Sequence, residues 1–337
     1  MEMNGHIKKT TVFLFLFSIC FLLLFSLSGV KVSEASEAVT YRLKWLFNAS
    51  VIGDIYADVQ GHFKAQGLDV TVKEGGPERD AIRELELGYA AFGVASADQV
   101  IRALAKGSPV VVIAQLFQVN PLQWIYRAEN LDITGVEDLK GKVVGITFGG
   151  NDETIMRTLM AKAGLTEKDI SVFSVRYDYT PFYQKRVDVW PVYRNSQAPI
   201  LEKKLGDLGE SVAYFNPAAH GVKFVANSVV TSKRMMEEHP EVVKKFTRAL
   251  LQGWEEALEP DNEEQVLKTL RQFDKDTDSD IMRKQLVITR SLIKPFKDTR
   301  IGTIDLEAWQ QTEKIMLEQK QIPDPVAVEK AIRKPFH

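Results

Sequence analysis

A chain of 337 residues that is 45% hydrophobic and 26% charged has enough apolar material for one large core or two lobes. Its 43 Lys and Arg against 45 Asp and Glu leave a formal charge of −2. That balance gives no reason to expect a nucleic-acid partner, whose phosphates call for a basic surface.

The chain opens with Lys8 and Lys9, the apolar run TVFLFLFSICFLLLFSLSGV and the polar stretch KVSEASEA. A positive region, an apolar core and small residues near Ala35 and Ala38 are the pattern of a secretory signal peptide, assigned to residues 1–38. The run also approaches the length of a membrane span, so an uncleaved anchor is the alternative. Cys20, the only cysteine, sits inside this run with FLLLFSL still to follow, which is not where a lipid-bearing cysteine falls. After cleavage the chain would be cysteine-free. That suits an exported protein without disulfides and excludes cysteine nucleophiles and thiolate metal sites.

From Tyr41 onward, strand and helix patterns alternate. YRLKWLF predicts a strand, Val51 to Gln66 a helix ending near Gly67, and LDVTVKE a second strand closed by GGP. A helix over Asp80 to Gly88 leads to the buried strand AAFGVAS, the helix DQVIRALAKG and the wholly apolar strand PVVVIAQLF. Continuous apolar strands between helices indicate a mostly parallel sheet covered on both faces. The pattern then restarts with WIYRAE, the connector LDITGVEDLKGK, VVGITFGG, a helix from Asn151, SVFSVRY and RVDVWPVY. After VKFVANSVVTSKR the chain is mostly helical, punctuated by Pro260, Pro295, Pro323 and Pro325. The expected architecture is α/β with two lobes. Residues 39–127 and 224–337 form the first, with the C-terminal helices, and 128–223 form the second. Between such lobes a cleft for a small ligand is expected.

Open α/β sheets bind ligands beyond the C-terminal ends of their strands. The polar residues at those ends are Trp45 and Asn48, Ser96 and Asp98, Gln118, the FGGNDET stretch (Phe148, Gly149, Gly150, Asn151) and the WPVYRNSQ stretch (Trp190, Tyr193, Asn195, Gln197). FGGNDET offers backbone N–H groups at a helix start, able to hold an anion or a carbonyl oxygen. An ordinary cap by Asn151 or Asp152 is the other reading, and the two can coexist. Trp45 and Trp190 are placed to stack on a flat ligand from opposite lobes, unless both are core residues. HExxH, GxSxG, P-loop and GxGxxG motifs are all missing, and His62, His220 and His239 are isolated in sequence, so no catalytic residue, metal or cofactor is expected.

GHFKAQGLDVTV, the GVAS strand end, AKGSPVVVIA, DLKGKVVGITFGG and FVANSVVTSKR together resemble periplasmic substrate-binding proteins of ABC importers, in particular the NMT1/THI5-like family. The resemblance implies a type II-like periplasmic-binding-protein fold, a small-molecule ligand such as a thiamine pyrimidine precursor, an inner-membrane ABC permease as partner, and a periplasmic monomer. A Trp in the family's first strand packs on the pyrimidine ring, and Trp45 occupies that place. Lys44 stands where the family often has Asn, and Gln197 where it often has Glu; a neutral amide offers a donor as well as an acceptor. A sulfonate, nitrate, aromatic acid or riboflavin-like cargo is the alternative on the same scaffold, with Lys44 and Arg194 favouring an anion. The fungal synthases of the family use an internal histidine and a cysteine-rich motif. NASVIGDI contains no histidine, so a binder is expected and an exported enzyme is the reading of another class.

Overall fold

The structure is a computed structural model that describes residues 36–76, 79–176 and 178–333. Residues up to 35, with Cys20 and most of the stretch expected as a signal peptide, and Tyr177 lie outside the described residues. Ten strands are described: β1 (Glu37–Arg42), β2 (Leu68–Lys73), β3 (Phe92–Ala95), β4 (Val110–Gln115), β5 (Leu122–Arg127), β6 (Val143–Ile146), β7 (Ser171–Ser174), β8 (Val189–Tyr193), β9 (Val212–Phe215) and β10 (Ser228–Ser232). They form two five-stranded sheets, ordered β2-β1-β3-β10-β4 and β7-β6-β8-β5-β9. Flanking helices make the protein an α/β, two-lobed molecule.

Each sheet has the same plan. β1 runs parallel to β2 and β3, and β6 parallel to β7 and β8. The antiparallel member is always the first strand laid down after a crossing: β5 against β8 and β9, β10 against β3 and β4. The first crossing lies between Gln115 and Leu122, so the boundary expected after residue 127 is corrected. Leu122–Arg127 falls inside the bounds expected for the first lobe although the pattern restarts with it, and its backbone pairs with β8 and β9. The first strand begins inside the stretch expected as a signal peptide. Glu37 and Ala38 pair with Leu68 and Asp69 and are part of β1.

β1 ends at Arg42, so KWLF is bend rather than strand, and the expected helix Val51–Gln66 is divided. Its first piece, α1 (Ile52–Val59), stops before Gly61, which takes the left-handed φ of +78°. The other helices that matter below are α2 (Ala97–Ala105), α3 (Asn151–Lys162), α4 (Gln197–Gly206), α5 (Pro240–Leu258), α6 (Ser279–Ile293) and α7 (Leu306–Glu318).

The first lobe is built around α1 and α5. A Cβ at Gly53 would fall 2.0 Å from the Trp254 ring, and one at Gly253 2.4 Å from the Ala57 Cβ. Two glycines therefore let the helices approach more closely than any side chain permits. Beneath them Phe246 stacks on Phe92 at 3.7 Å and on Phe63 at 5.2 Å. Asp54 is buried in this core, its Oδ1 accepting from Tyr41 Oη at 2.7 Å and Trp254 Nε1 at 3.2 Å. Burial pushes the Asp54 carboxyl up to about 7, with those two donors pulling the other way. The second lobe has its own cores, one of them around Ile125, Phe182, Trp190 and Leu201.

Most of the C-terminal helices pack on the first lobe, but α7 does not stay there alone. Trp309 and Met316 of α7 lie in a first-lobe cluster while its Ile315 lies in a second-lobe cluster. The edge strand β4 is fully buried because Gly302 and Ile332 bridge to Gln115 and Val112.

Candidate functional site

Parallel pairing decides where the candidate residues emerge. β1 and β3 are neighbours, so the segments after Arg42 and after Ala95 leave the first sheet side by side. β6 and β8 are likewise neighbours, so the segments after Ile146 and after Tyr193 leave the second sheet together. The four segments meet. Asn48 Nδ2 donates to Ser196 Oγ at 3.2 Å, Arg102 Nη2 donates to the Gly149 carbonyl at 3.3 Å, and Asn151 Nδ2 donates to Tyr193 Oη at 3.0 Å. One seam between the lobes is thus lined by four strand ends.

On the first lobe, Trp45 is half-buried in the bend after β1, and its carbonyl accepts from Gly75 N at 2.9 Å. A Cβ on Gly75 would lie 2.1 Å from the Leu43 carbonyl, so only glycine permits this contact. Asn48 caps the following turn through Oδ1, which accepts from Ser50 N at 2.8 Å, leaving Nδ2 for the other lobe. Ser96 and Asp98 are buried, and Ser96 Oγ donates to Asp98 Oδ1. The other Asp98 oxygen pairs with Arg102 one helical turn away.

On the second lobe, Phe148 is 57% exposed at the lip. Gly149 takes a left-handed φ of +79°, and a Cβ on Gly150 would sit 2.4 Å from Asp152 Oδ1. The helix start is closed by its own acids. Thr147 N donates to Asp152 at 2.6 Å and Gly149 N to Glu153 at 2.7 Å, while Gly150 N donates to the Thr147 carbonyl at 2.8 Å. Gly150, not Asn151 or Asp152, is the capping residue. The carboxylates of Asp152 and Glu153 at this helix start weigh against an anion there. Burial pushes the Asp152 carboxyl up to about 6, and the charge of Asp98 across the seam adds to it.

Trp190 is also corrected. It is 2% exposed and packs against Phe173, Tyr179 and Phe182 inside the second lobe, so it offers no face to a ligand. The alternation of β8 sends Trp190 and Val192 to one core and Val189 with Tyr193 to the other. Gln197 accepts from Tyr193 N at 2.9 Å and so holds its own loop. Arg194 lies 4.0 Å over the Tyr214 ring with Nη1 3.4 Å from Gln123 Oε1, packed on its own lobe. Gln118 lies away from the four strand ends, in the first crossing, donating to the Gln115 and Thr303 carbonyls. It lines a cavity of about 250 Å³ shared with Phe117, Ile155, Phe224 and Ala308.

Asn195 is fully buried, its Nδ2 donating to Thr289 Oγ1 at 3.1 Å, and Gln285 Nε2 donates to the Ser196 carbonyl at 2.7 Å. The side-chain oxygens of Asn195 and Gln285 are buried without a hydrogen-bond partner. Gln285 and Thr289 of α6 were not among the sequence candidates, nor were Arg102 and Gln321; Thr154 closes the FGGNDET stretch but was given no role of its own. All lie on helices or beyond them, where polar residues normally face solvent; only a polar stripe facing the wrong way along α6 could have signalled them. The histidines are elsewhere: His62 lies 3.0 Å from Glu256, His239 3.5 Å from Glu37, and His220 stacks on Phe215 at 4.8 Å. Among the described residues no group of three or more His, Cys, Asp or Glu is placed to hold a metal. No helix among them is long and apolar enough to cross a membrane.

The NMT1/THI5-like family matches residues 48–263, which run from the Asn48 turn through both sheets into the first C-terminal helices. The chain belongs to that family. A formylaminopyrimidine-binding protein of Halalkalibacterium halodurans is 28% identical over 267 residues, 78% of this chain and 79% of that protein. Riboflavin-binding protein RibY of Chloroflexus aurantiacus is 25% identical over 313 residues, covering 89% and 86%. A relative named 4-amino-5-hydroxymethyl-2-methylpyrimidine phosphate synthase, from Legionella pneumophila, is 23% identical over 230 residues, 66% of this chain and 70% of that protein. Among solved structures, the periplasmic aliphatic sulphonate binding protein SsuA of Escherichia coli superposes with a TM-score of 0.69 at 20% identity, covering 89% of this chain and 92% of that one. This likeness shows the fold: the chain has a periplasmic-binding-protein architecture.

Proposed function

We propose that this protein is the extracytoplasmic substrate-binding component of an ABC-type importer, and that it carries a small amino-bearing heterocycle of the pyrimidine class to a membrane permease. The observation that carries the reading is the seam itself. Strand ends from two separate lobes converge there, bringing Asn48 to Ser196 and Asn151 to Tyr193, and Trp45 lies in the bend three residues before Asn48. An indole face suits a flat ring, and amide and phenol groups suit its edges.

Charge favours an amino-bearing ring over a sulfonate or nitrate. Arg194 is held on Tyr214, the N–H groups of Gly149 and Gly150 ahead of the helix are taken, and Asp152 adds negative charge while that of Asp98 is offset by Arg102. The formylaminopyrimidine-binding relative supports the same cargo class. A binder fits better than a catalyst, because the described histidines lie off the seam and its Asp98 is already paired with Arg102. Cargo is handed over by closing the lobes around it, which requires the closed form to bind better than the open one.

The test is a thermal-shift panel of aminopyrimidines, thiamine, riboflavin, alkanesulfonates, nitrate and aromatic acids, since a ligand that binds only the native state raises its melting temperature. A shift with an aminopyrimidine that Trp45→Ala abolishes is the expected result. A shift with anions alone would overturn the cargo class.

A further inference from the structure

The turn after α7 makes a contact between the lobes that ligand capture does not require. Met316 before the turn and Ile322 after it are both buried in the first lobe's cluster. The residues between them reach the second lobe. Gln319 Nε2 donates to Thr158 Oγ1, and Thr154 Oγ1 donates to Gln321 Oε1 at 2.8 Å. Thr154 and Thr158 stand one turn apart on α3, so two glutamines meet two hydroxyls of a single helical face. The set closes on itself: Gln321 Nε2 donates to Gln319 Oε1 at 2.9 Å, and Thr158 Oγ1 donates to the Thr154 carbonyl at 2.6 Å. Arg102 of the first lobe completes it, donating to Gln321 Oε1 at 3.4 Å and to the Gly149 carbonyl at 3.3 Å.

Lys320, between the glutamines, has φ +57°, a left-handed conformation that favours glycine. Helix termination accounts for part of this geometry, since Lys320 N and Gln321 N donate back to the Leu317 and Met316 carbonyls. It does not account for both neighbouring side chains being engaged across the lobes.

We infer that Gln319 and Gln321 form an interlobe clasp that holds the ligand-free protein closed, so that the chain's own C-terminal segment sets the balance between open and closed forms. Every group in the clasp except Arg102 is neutral, so it is released by separating the lobes and re-forms without a change of protonation. This inference goes beyond the cargo reading and does not depend on which ligand binds.

The test measures lobe separation in the ligand-free full chain carrying Cys20→Ser. Spin labels are attached through Tyr89→Cys on the first lobe and Leu208→Cys on the second, both residues being 68% exposed. Pulsed dipolar distances are compared with and without the pair Gln319→Ala and Gln321→Ala. Loss of the two interlobe hydrogen bonds should raise the open-to-closed ratio about tenfold. Thr154→Val with Thr158→Val attacks the clasp from α3 and should give the same shift, which guards against a folding failure of the glutamine variant. Distance distributions that superimpose on those of the parent in either folded variant would overturn the clasp.

Discussion

Replacing Asp54 by Asn tests the electrostatics of the first lobe's core. The carboxyl has an ordinary value of 3.8 and is pushed up to about 7 by burial on the inner side of α1, where Tyr41 and Trp254 donate to it. A raised carboxyl value means that the folded state holds its proton more tightly than the unfolded chain. The stabilisation from this group is therefore fully present below pH 4 and is lost as the pH rises through 7. Each unit is worth about 1.4 kcal/mol, so the whole interval amounts to roughly 4 kcal/mol, and the accessible part between pH 5 and 7 to about 2–3 kcal/mol. Asn keeps an oxygen for both donors and never ionises. Urea unfolding of parent and Asp54→Asn at pH 5, 6, 7 and 8 should show the variant gaining on the parent by that amount up to pH 7, then holding a constant difference. Parallel stability curves for the two proteins would refute the assignment of a protonated, buried Asp54.

Other outcomes follow from packing and from the seam. Gly253→Ala places a Cβ 2.4 Å from that of Ala57 and should cost about 3 kcal/mol or prevent folding, as read by thermal melts. Trp190→Ala should cost about 3–5 kcal/mol of stability while ligand affinity of the folded fraction stays at the parent value; a selective loss of affinity would return Trp190 to the ligand face. Arg194→Ala should leave ligand affinity unchanged in calorimetry, because its guanidinium is stacked on Tyr214. Asn48→Ala removes the turn cap as well as the bond to Ser196, so it should lower both the melting temperature, by about 1 kcal/mol of stability, and ligand affinity.

The strands were legible wherever burial was continuous. β3 and β4 are buried at every residue and were readable as apolar runs, and the strand-end rule led to three of the four segments at the seam as written and to the fourth once Trp190 is removed. β5 misled because an apolar strand carries no mark of the sheet it joins; its partners β8 and β9 lie 62 and more residues further on. Trp190 misled because Pro191, Arg194 and Asn195 read as a loop, whereas Val189–Tyr193 is an internal strand whose alternation buries the indole. The Gln321 contact was out of reach, and the α6 contacts nearly so, since a glutamine has the same local signature whether it meets water or another lobe.

The central claim is that an amino-bearing ring sits in the interlobe seam against Trp45. Calorimetric titration of the parent and of Trp45→Ala with an aminopyrimidine tests it most directly. The account predicts saturable binding to the parent and a loss of about 30-fold or more in the variant, the scale of a buried aromatic anchor. Equal affinity in the two proteins, or binding confined to sulfonates and nitrate, would contradict it.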